Sequence, residues 1–223
     1  MMDLSTLRIS EELIPNWLGI SHEKGALSVY DTVRAIIETR RSIREYSERP
    51  VTTETLQELI EIANWAPSPE NAQNWRIVVV RNPEMLDRIK RFLTIAFDKQ
   101  IKEKLGKALE EKPKVVSRTR GFFSTLGGAP AMIFVFVVPS GHGVEIDMQS
   151  AAAWTQTFLL ASHSKGLATC WFAGVLYCED EIRNELQVSE GRLANGITLG
   201  YPSKSRLYVP KRKNYPDALK WID

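Results

Sequence analysis

Most of what this sequence indicates about its fold and its ligands lies in two short stretches, residues 39–44 (TRRSIR) and residues 66–75 (APSPENAQNW). The first places three arginines and a serine within five residues, at the end of a predicted helix. The second is a loop of proline, small and amide residues that leads into the apolar run 77–80 (IVVV). The predicted helix between them is amphipathic, with apolar residues at helical spacing: Leu56, Leu59, Ile60 and Ala63. Helix followed by buried strand is an order typical of a domain that mixes the two.

The composition is that of an ordinary globular protein. The chain has 223 residues, of which 43% are hydrophobic and 25% charged, and its net charge of +2 argues against a nucleic-acid-binding protein. The two cysteines, Cys170 and Cys178, form neither a CxxC motif nor a disulfide framework, which favours a reduced compartment. The N-terminus lacks a basic region followed by an apolar run, so we expect no secretory signal and a cytoplasmic location.

Short β-branched or apolar runs predict strands at residues 77–80, 131–138, 167–172 and 197–201. Helices are predicted after N-caps at Asp31-Thr32 and at Thr53, and over residues 84–111, 147–165 and 179–186. Gly166 suits the C-terminal cap of the fourth of these helices, and residues 112–128 are predicted to be irregular. These elements predict one domain in which helices surround a sheet of four or five strands.

The arginine cluster has two interpretations. Arg40, Arg41 and Arg44 can bind a phosphate through bidentate hydrogen bonds, with the hydroxyl of Ser42 as a further donor. Alternatively, cations at a helix C-terminus only offset the helix dipole and stay solvated. Three arginines this close repel one another unless an anion lies among them, so the density of the cluster favours the phosphate site.

Three other segments are ambiguous in the same way. The amides of residues 66–75 suit a flat heterocycle with mixed donors and acceptors, but turns use the same residue types. Residues 171–175 (WFAGV) allow a flat ligand to approach the backbone, or simply end a strand. Residues 211–213 (KRK) form another cationic group, which either contributes to an anion site or is an ordinary solvated surface. The sequence contains no Gly-rich nucleotide loop, HExxH motif or GxSxG motif. The residues alone therefore predict a domain with an anion site and a possible flat ligand.

These segments, in this order, resemble the nitroreductase family of FMN-dependent flavoproteins. The resemblance spans residues 31–223 and also includes residues 129–131 (APA), 166–171 (GLATCW) and 199–202 (LGYP). It implies an α+β fold with a mostly antiparallel central sheet flanked by helices, and an intertwined homodimer with FMN at the subunit interface. Residues 1–30 are then an N-terminal arm, and residues 84–128 a variable segment that covers the substrate pocket.

The resemblance also implies which residues bind FMN. The phosphate, ribityl chain and ring edge are contacted from one subunit by Arg40, Arg41, Ser42 and Arg44. The partner subunit contributes Pro67, Ser68, Asn71 and Gln73. Backbone at Ala173 and Gly174 faces the ring, and the phosphate cage is completed by Lys211 and Arg212, with Lys213 as an alternative. One position departs from the family pattern, because Asn74 stands where a proline is usual between Gln73 and the tryptophan.

The implied activity is that of an FMN-dependent NAD(P)H oxidoreductase. It reduces nitroaromatics, quinones or activated alkenes by ping-pong hydride transfer through flavin N5, with NADH or NADPH as the reductant. The resemblance assigns no catalytic side chain, no metal, and no membrane or nucleic-acid partner. The alternative is an FMN-binding protein of the same fold without reductase turnover, such as a flavin carrier, a regulator or a flavin-fragmenting enzyme.

Overall fold

Seven helices and four strands make up the part of the chain that the computed structural model describes, residues 28–108, 112–203, 211–213 and 215–222. The helices are α1 (Val29–Thr39), α2 (Thr53–Ala63), α3 (Pro83–Ala96), α4 (Lys102–Ala108), α5 (Pro113–Thr125), α6 (Val144–Ser164) and α7 (Glu179–Glu185). The strands are β1 (Trp75–Val80), β2 (Ala131–Val137), β3 (Ala168–Phe172) and β4 (Arg192–Gly200). Most of the predicted arm, residues 1–27, lies outside the described residues.

The four strands form one sheet in the order β1-β2-β4-β3, and every neighbouring pair is antiparallel. Strand β2 is central and buried along its whole length, as its uninterrupted apolar sequence predicts. Beyond the regular ladders, Ser42 forms an isolated bridge with Thr169, and Tyr46 forms one with Pro202. The predicted α+β fold with an antiparallel sheet is therefore confirmed.

The alternation of side chains along β2 divides the core into two layers. Met132, Phe134 and Phe136 belong to the layer that includes residues of α3 and α5. Ile133 and Val135 belong to the other layer, together with residues of α2 and α6. The sheet is therefore covered by helices on both faces.

The observed helix starts differ from the predicted ones. The N-cap of α1 is Ser28, whose hydroxyl accepts a hydrogen bond from the backbone N–H of Asp31, and the N-cap of α2 is Thr52, which accepts one from Thr55. The prediction of an irregular segment over residues 112–128 is wrong, because α5 occupies most of it. Pro113 starts this helix, and burial of Phe122 and Phe123 stabilises it although its sequence is only weakly amphipathic.

Helix α6 begins at Val144, three residues earlier than the prediction, and ends at Ser164. As predicted, Gly166 follows it in the left-handed conformation, with φ of 76°. Two backbone hydrogen bonds close this helix end, from Gly166 to His163 and from Leu167 to Ser162. None of the described helices is long and apolar enough to cross a membrane.

Candidate functional site

The arginine stretch is an extended segment fixed to three neighbouring elements. The backbone N–H of Ile43 donates to the carbonyl of Thr169 in β3 at 2.9 Å, and that of Tyr46 donates to the carbonyl of Gly127 at 2.9 Å. The buried hydroxyl of Tyr46 lies 2.6 Å from the hydroxyl of Thr198 in β4. Backbone pairing with the sheet therefore sets where the arginines of this segment emerge.

Three arginines lie near enough at the start of this segment for their charges to act on one another: Arg40, Arg41 and Arg212. Burial lowers the pKa of Arg40 from its ordinary value, and the positive charges of Arg212 and Arg41 lower it further. The tail therefore brings Arg212 near enough for its charge to act on Arg40, although most of the chain separates them in the sequence. Among the described residues, no carboxylate forms an ion pair with any of these three arginines. This cluster concentrates positive charge that an anionic ligand would offset.

The side chain of Arg41 also retains an unused donor. Its Nη1 donates to the backbone carbonyls of Glu38 at 2.6 Å and Arg40 at 2.7 Å, which lie at the end of α1. Its Nε is buried and has no hydrogen-bond partner among the described residues. A buried donor without a partner is costly, so a ligand oxygen at this position would be favoured.

His163 of α6 lies beneath the arginine cluster. Its Nε2 is 2.9 Å from the hydroxyl of Thr39, and its side chain is buried. Burial lowers the pKa of His163 to about 4, with further lowering by the charges of Arg40 and Arg41. The imidazole is therefore neutral at pH 7, which avoids adding a positive charge to the cluster.

Acidification is expected to destabilise the ligand-free protein through His163. The unfolded chain protonates this residue near pH 6.5, whereas the folded chain resists protonation until about pH 4. Because the pKa is lowered on folding, the stabilisation is complete above pH 6.5 and is lost as pH falls toward 4. Between pH 7 and 5 this group should contribute a loss on the order of 2 kcal/mol.

Thermal unfolding of the wild type and His163→Gln between pH 7 and 5 measures this contribution. The variant should lose less stability over that interval than the wild type. His142→Gln, at an exposed position in the loop before α6, is the matched control, since it removes a histidine far from the arginine cluster. Equal pH dependence in the wild type and His163→Gln would contradict the expectation.

The loop that precedes β1 is shaped by hydrogen bonds within itself. Residues Pro69–Asn71 form a 3-10 turn, and three non-glycine residues have a left-handed backbone: Glu70, Asn71 and Gln73, with φ of 50°, 54° and 45°. The hydroxyl of Ser68 accepts a hydrogen bond from the backbone N–H of Gln73 at 3.0 Å. Among the described residues, no hydrogen bond or ion pair joins this loop to residues 40–44. Within one chain, the structure therefore does not bring Pro67, Ser68, Asn71 and Gln73 to the arginine cluster through polar contacts.

Asn74 anchors the end of this loop. Its amide donates to the carbonyl of Val138 at 2.6 Å and to Oδ1 of Asp147 at 2.7 Å. Asp147 is buried and also accepts a hydrogen bond from the hydroxyl of Ser140 at 2.5 Å. The residue that replaces the family's usual proline thus ties the loop to α6 through hydrogen bonds rather than through a rigid ring.

A cavity of about 560 Å³ lies between Arg44, helix α5 and the end of β3. Much of its wall is aromatic, with contributions from Phe122, Phe123, Trp171 and Phe172. The guanidinium carbon of Arg44 lies 5.9 Å from the ring centroid of Phe122. A flat, electron-poor ligand is chemically suited to such walls.

The predicted backbone contact at Ala173 and Gly174 lies next to these aromatic residues. Both residues belong to the 3-10 turn that follows β3, where Ala173 is exposed and Gly174 is buried. A Cβ at Gly174 would lie 2.5 Å from atoms of Phe123 and Phe172, so only glycine fits there. All three residues of the predicted basic run, 211–213, are exposed, and Arg212 is the one whose charge acts on Arg40.

Sequence reasoning missed several residues of this cavity, among them Arg118 and Thr119, because helix α5 was not predicted. Their signal is the spacing of Val115, Arg118, Thr119 and Phe122, which places all four on one face of a helix.

The two cysteines offer no reactive thiolate, since burial raises the pKa of Cys170 and raises that of Cys178 to about 12.

Comparisons with known proteins agree with this architecture. The sequence model described as the Nitroreductase family matches residues 37–201. A protein of Methanothermobacter thermautotrophicus that carries the name NADH dehydrogenase/NAD(P)H nitroreductase is 30% identical over 189 residues, 82% of this chain and 84% of that protein. The 4-nitrobenzoate reductase of Nocardioides sp. is 29% identical over 211 residues, 79% of this chain and 83% of that protein.

The fold is shared with a solved structure, the FMN-dependent nitroreductase NfnB from Mycobacterium smegmatis in complex with NADPH. The two superpose with a TM-score of 0.73 at 22% sequence identity, over 87% of this chain and 100% of that chain. At this level of identity the likeness establishes the arrangement of helices and strands, and the chemistry has to be argued from the residues of this chain.

Proposed function

The chain belongs to the nitroreductase family and is an oxidoreductase, and we propose that it uses FMN as its cofactor and NADH or NADPH as its reductant. The observation that carries the proposal is the convergence of Arg40, Arg41 and Arg212 with no carboxylate partner among the described residues. A phosphate ester with two negative charges would offset the mutual repulsion of these groups.

The residues present fit FMN. Its phosphate would be held by Arg40, Arg41 and Arg212, with the hydroxyl of Ser42 as a further donor and the buried Nε of Arg41 gaining a partner. Arg44 and the backbone of Ala173 and Gly174 would lie along the edge of the flavin ring. Lys211 remains a candidate for the outer part of the phosphate site.

We extend the proposal to a homodimer in which the partner copy completes the site. The loop that carries Ser68, Asn71 and Gln73 forms no described polar contact with the arginine cluster of its own chain, so a second copy would have to supply it. Large apolar side chains are exposed on α1, including Ile37, and just after α2, where the exposed fraction of Trp65 is 87%. Such surfaces are typical of protein interfaces.

FMN supplies the ability to accept two electrons from a nicotinamide donor and to pass them to an electron-poor acceptor. The chain's own contribution is to bind and orient. Cationic and donor groups near the ring edge would stabilise the negative charge of the reduced ring. The aromatic walls formed by Phe122, Trp171 and Phe172 would exclude water and stack with flat acceptors.

Nitroaromatics, quinones and activated alkenes are the proposed acceptor classes. The proposed location of the protein is the cytoplasm, where thiols stay reduced.

An absorbance spectrum of the purified protein, reconstituted with FMN and then treated anaerobically with NADH or NADPH, tests this function. We expect flavin bands that bleach with at least one of the two donors. Flavin bands that persist with both would favour an FMN-binding protein without reductase turnover. Absence of bound flavin after incubation with FMN would contradict the proposed cofactor.

A further inference from the structure

We propose that Arg118 of helix α5 gives the aromatic cavity a binding point for an anionic group, so that the enzyme favours flat acceptors that carry a carboxylate over their neutral isosteres. The inference rests on the proposed function, because it assigns the cavity of about 560 Å³ to the acceptor. It adds a recognition residue and the charge of the preferred acceptor to that function.

The geometry of α5 directs Arg118 into the cavity. Val115, Arg118, Thr119 and Phe122 are spaced as i, i+3, i+4 and i+7, and all four line it. Val116 and Arg120, which lie on another face of the same helix, line a different cavity next to Phe97. Helical spacing, rather than the flexibility of a long side chain, therefore determines which of the two arginines faces the aromatic walls.

Arg118 and Arg120 also differ in their partners. Arg120 is held by Asp98 through two hydrogen bonds of 2.8 and 2.7 Å from its guanidinium. For Arg118, no hydrogen bond, ion pair or ring contact is found within the described part of the chain. A guanidinium presents several donors in a planar fork, and a carboxylate matches that fork with two oxygens. Arg118 is therefore available to an external anion, whereas Arg120 is already occupied.

The charge of the cavity favours an anion over a cation. Its cationic lining residues are Arg44 and Arg118, and its acidic lining residue is Glu45. Arg44 follows the segment that pairs with β3 and is assigned to the proposed ring edge of the cofactor, which leaves Arg118 of α5 for the acceptor. The rings of Phe122, Trp171 and Phe172 line the same cavity. An aromatic carboxylate combines the two features that these walls recognise, a flat ring and a negative charge.

The test is a titration of the FMN-loaded protein with benzoate and with benzamide, followed through the flavin absorbance bands. The two probes have nearly the same shape and differ in charge, and neither is an electron acceptor. We expect the wild type to bind benzoate about tenfold more tightly than benzamide, a difference of about 1.4 kcal/mol. Raising the salt concentration from about 50 to about 500 mM should weaken benzoate binding and leave benzamide binding nearly unchanged.

Arg118→Gln should remove the preference for benzoate, while benzamide binding stays within about twofold of the wild type. Arg120→Gln is the matched control, since it removes the same charge from the same helix outside this cavity, and it should keep the preference. The ratio of kcat/KM for 3-nitrobenzoate and 3-nitrobenzamide should fall in parallel in Arg118→Gln and stay unchanged in Arg120→Gln.

The phosphate of NADPH is the other anion that Arg118 could bind, and a separate measurement distinguishes it from the carboxylate of an acceptor. Rates of flavin reduction by NADPH and NADH should keep the same ratio in Arg118→Gln as in the wild type. A change in that ratio with intact benzoate preference would overturn the assignment to the acceptor. Equal binding of benzoate and benzamide by a protein that binds FMN and is reduced by NAD(P)H would overturn this inference alone. A protein that binds no FMN would overturn the proposed function as well.

Discussion

Replacing Arg40 by alanine is expected to weaken FMN binding by about 100-fold or more. Arg40 is half-buried, and its charge is opposed by those of Arg41 and Arg212. Each hydrogen bond between a guanidinium and a phosphate contributes about 1.5–3 kcal/mol, and a bidentate contact makes two. Losing both corresponds to a loss of at least two orders of magnitude in affinity. Quenching of FMN fluorescence during titration of the apoprotein measures the dissociation constant directly.

The same substitution should not destabilise the apoprotein. Without a bound phosphate, removing Arg40 relieves the repulsion with Arg212 and Arg41, so the midpoint of thermal unfolding should stay the same or rise. FMN should raise that midpoint in the wild type and fail to do so in the variant. A residue with a purely structural role would give the opposite result in the apoprotein.

Arg34→Ala is the matched control for Arg40→Ala. Arg34 lies on helix α1, just before Arg40, and forms an exposed ion pair with Glu38, so its loss removes an equal charge away from the cluster. FMN affinity should stay within about twofold in this control. Arg212→Met approaches the site from the tail and should weaken FMN binding in the same direction as Arg40→Ala. Full retention of FMN by both site variants would contradict the assigned phosphate site.

Replacing Gly127 by alanine is expected to lower the free energy of unfolding by about 2–5 kcal/mol. Gly127 has φ of 64°, and a Cβ placed there would lie 2.0 Å from the backbone oxygen of Arg44. That oxygen cannot rotate away as a side chain could, so the added methyl group must displace the arginine segment. The displacement would also disturb the hydrogen bond from the backbone of Tyr46 to the carbonyl of Gly127. FMN affinity should fall together with stability.

Gly106→Ala provides the control for this prediction. Gly106 lies in helix α4, its backbone does not have a positive φ, and a Cβ added to it would meet no atom within 4 Å. Alanine is a better helix former than glycine, so this variant should gain about 0.5–1 kcal/mol. Urea unfolding of the three proteins gives the comparison. A Gly127→Ala variant as stable as the wild type would show that the arginine segment is not held against this turn.

Prediction from the sequence succeeded where the signal is local. Strand β2 is apolar at every position, and Gly166 ends a helix that local patterning predicts. Helix α5 was missed because its sequence includes β-branched residues, serine and Gly121, so its own preference for helix is weak. Burial of Phe122 and Phe123 against the core supplies the stabilisation that its local sequence lacks.

The candidate site was likewise predicted from the sequence only in part. The sequence indicated an anion site at Arg40, Arg41 and Arg44, because their repulsion at short spacing is a property of neighbours in the chain. It could not decide which residue of the basic tail approaches Arg40, or that His163 lies beneath the cluster in a neutral state. It also gave no indication that Arg118 lines the aromatic cavity while Arg120 is paired with Asp98.

The family, the order of strands and helices along most of the chain, and the residues that could bind a phosphate all followed from the amino-acid sequence. The folded arrangement alone shows which charges lie close together, which donors stay unpaired and which face of α5 lines the cavity. Local spacing sets periodicity and backbone preference, whereas pKa shifts and unpaired donors depend on through-space contacts between residues far apart in the chain. Those contacts exist only after the sheet has fixed the path of the segments that carry them.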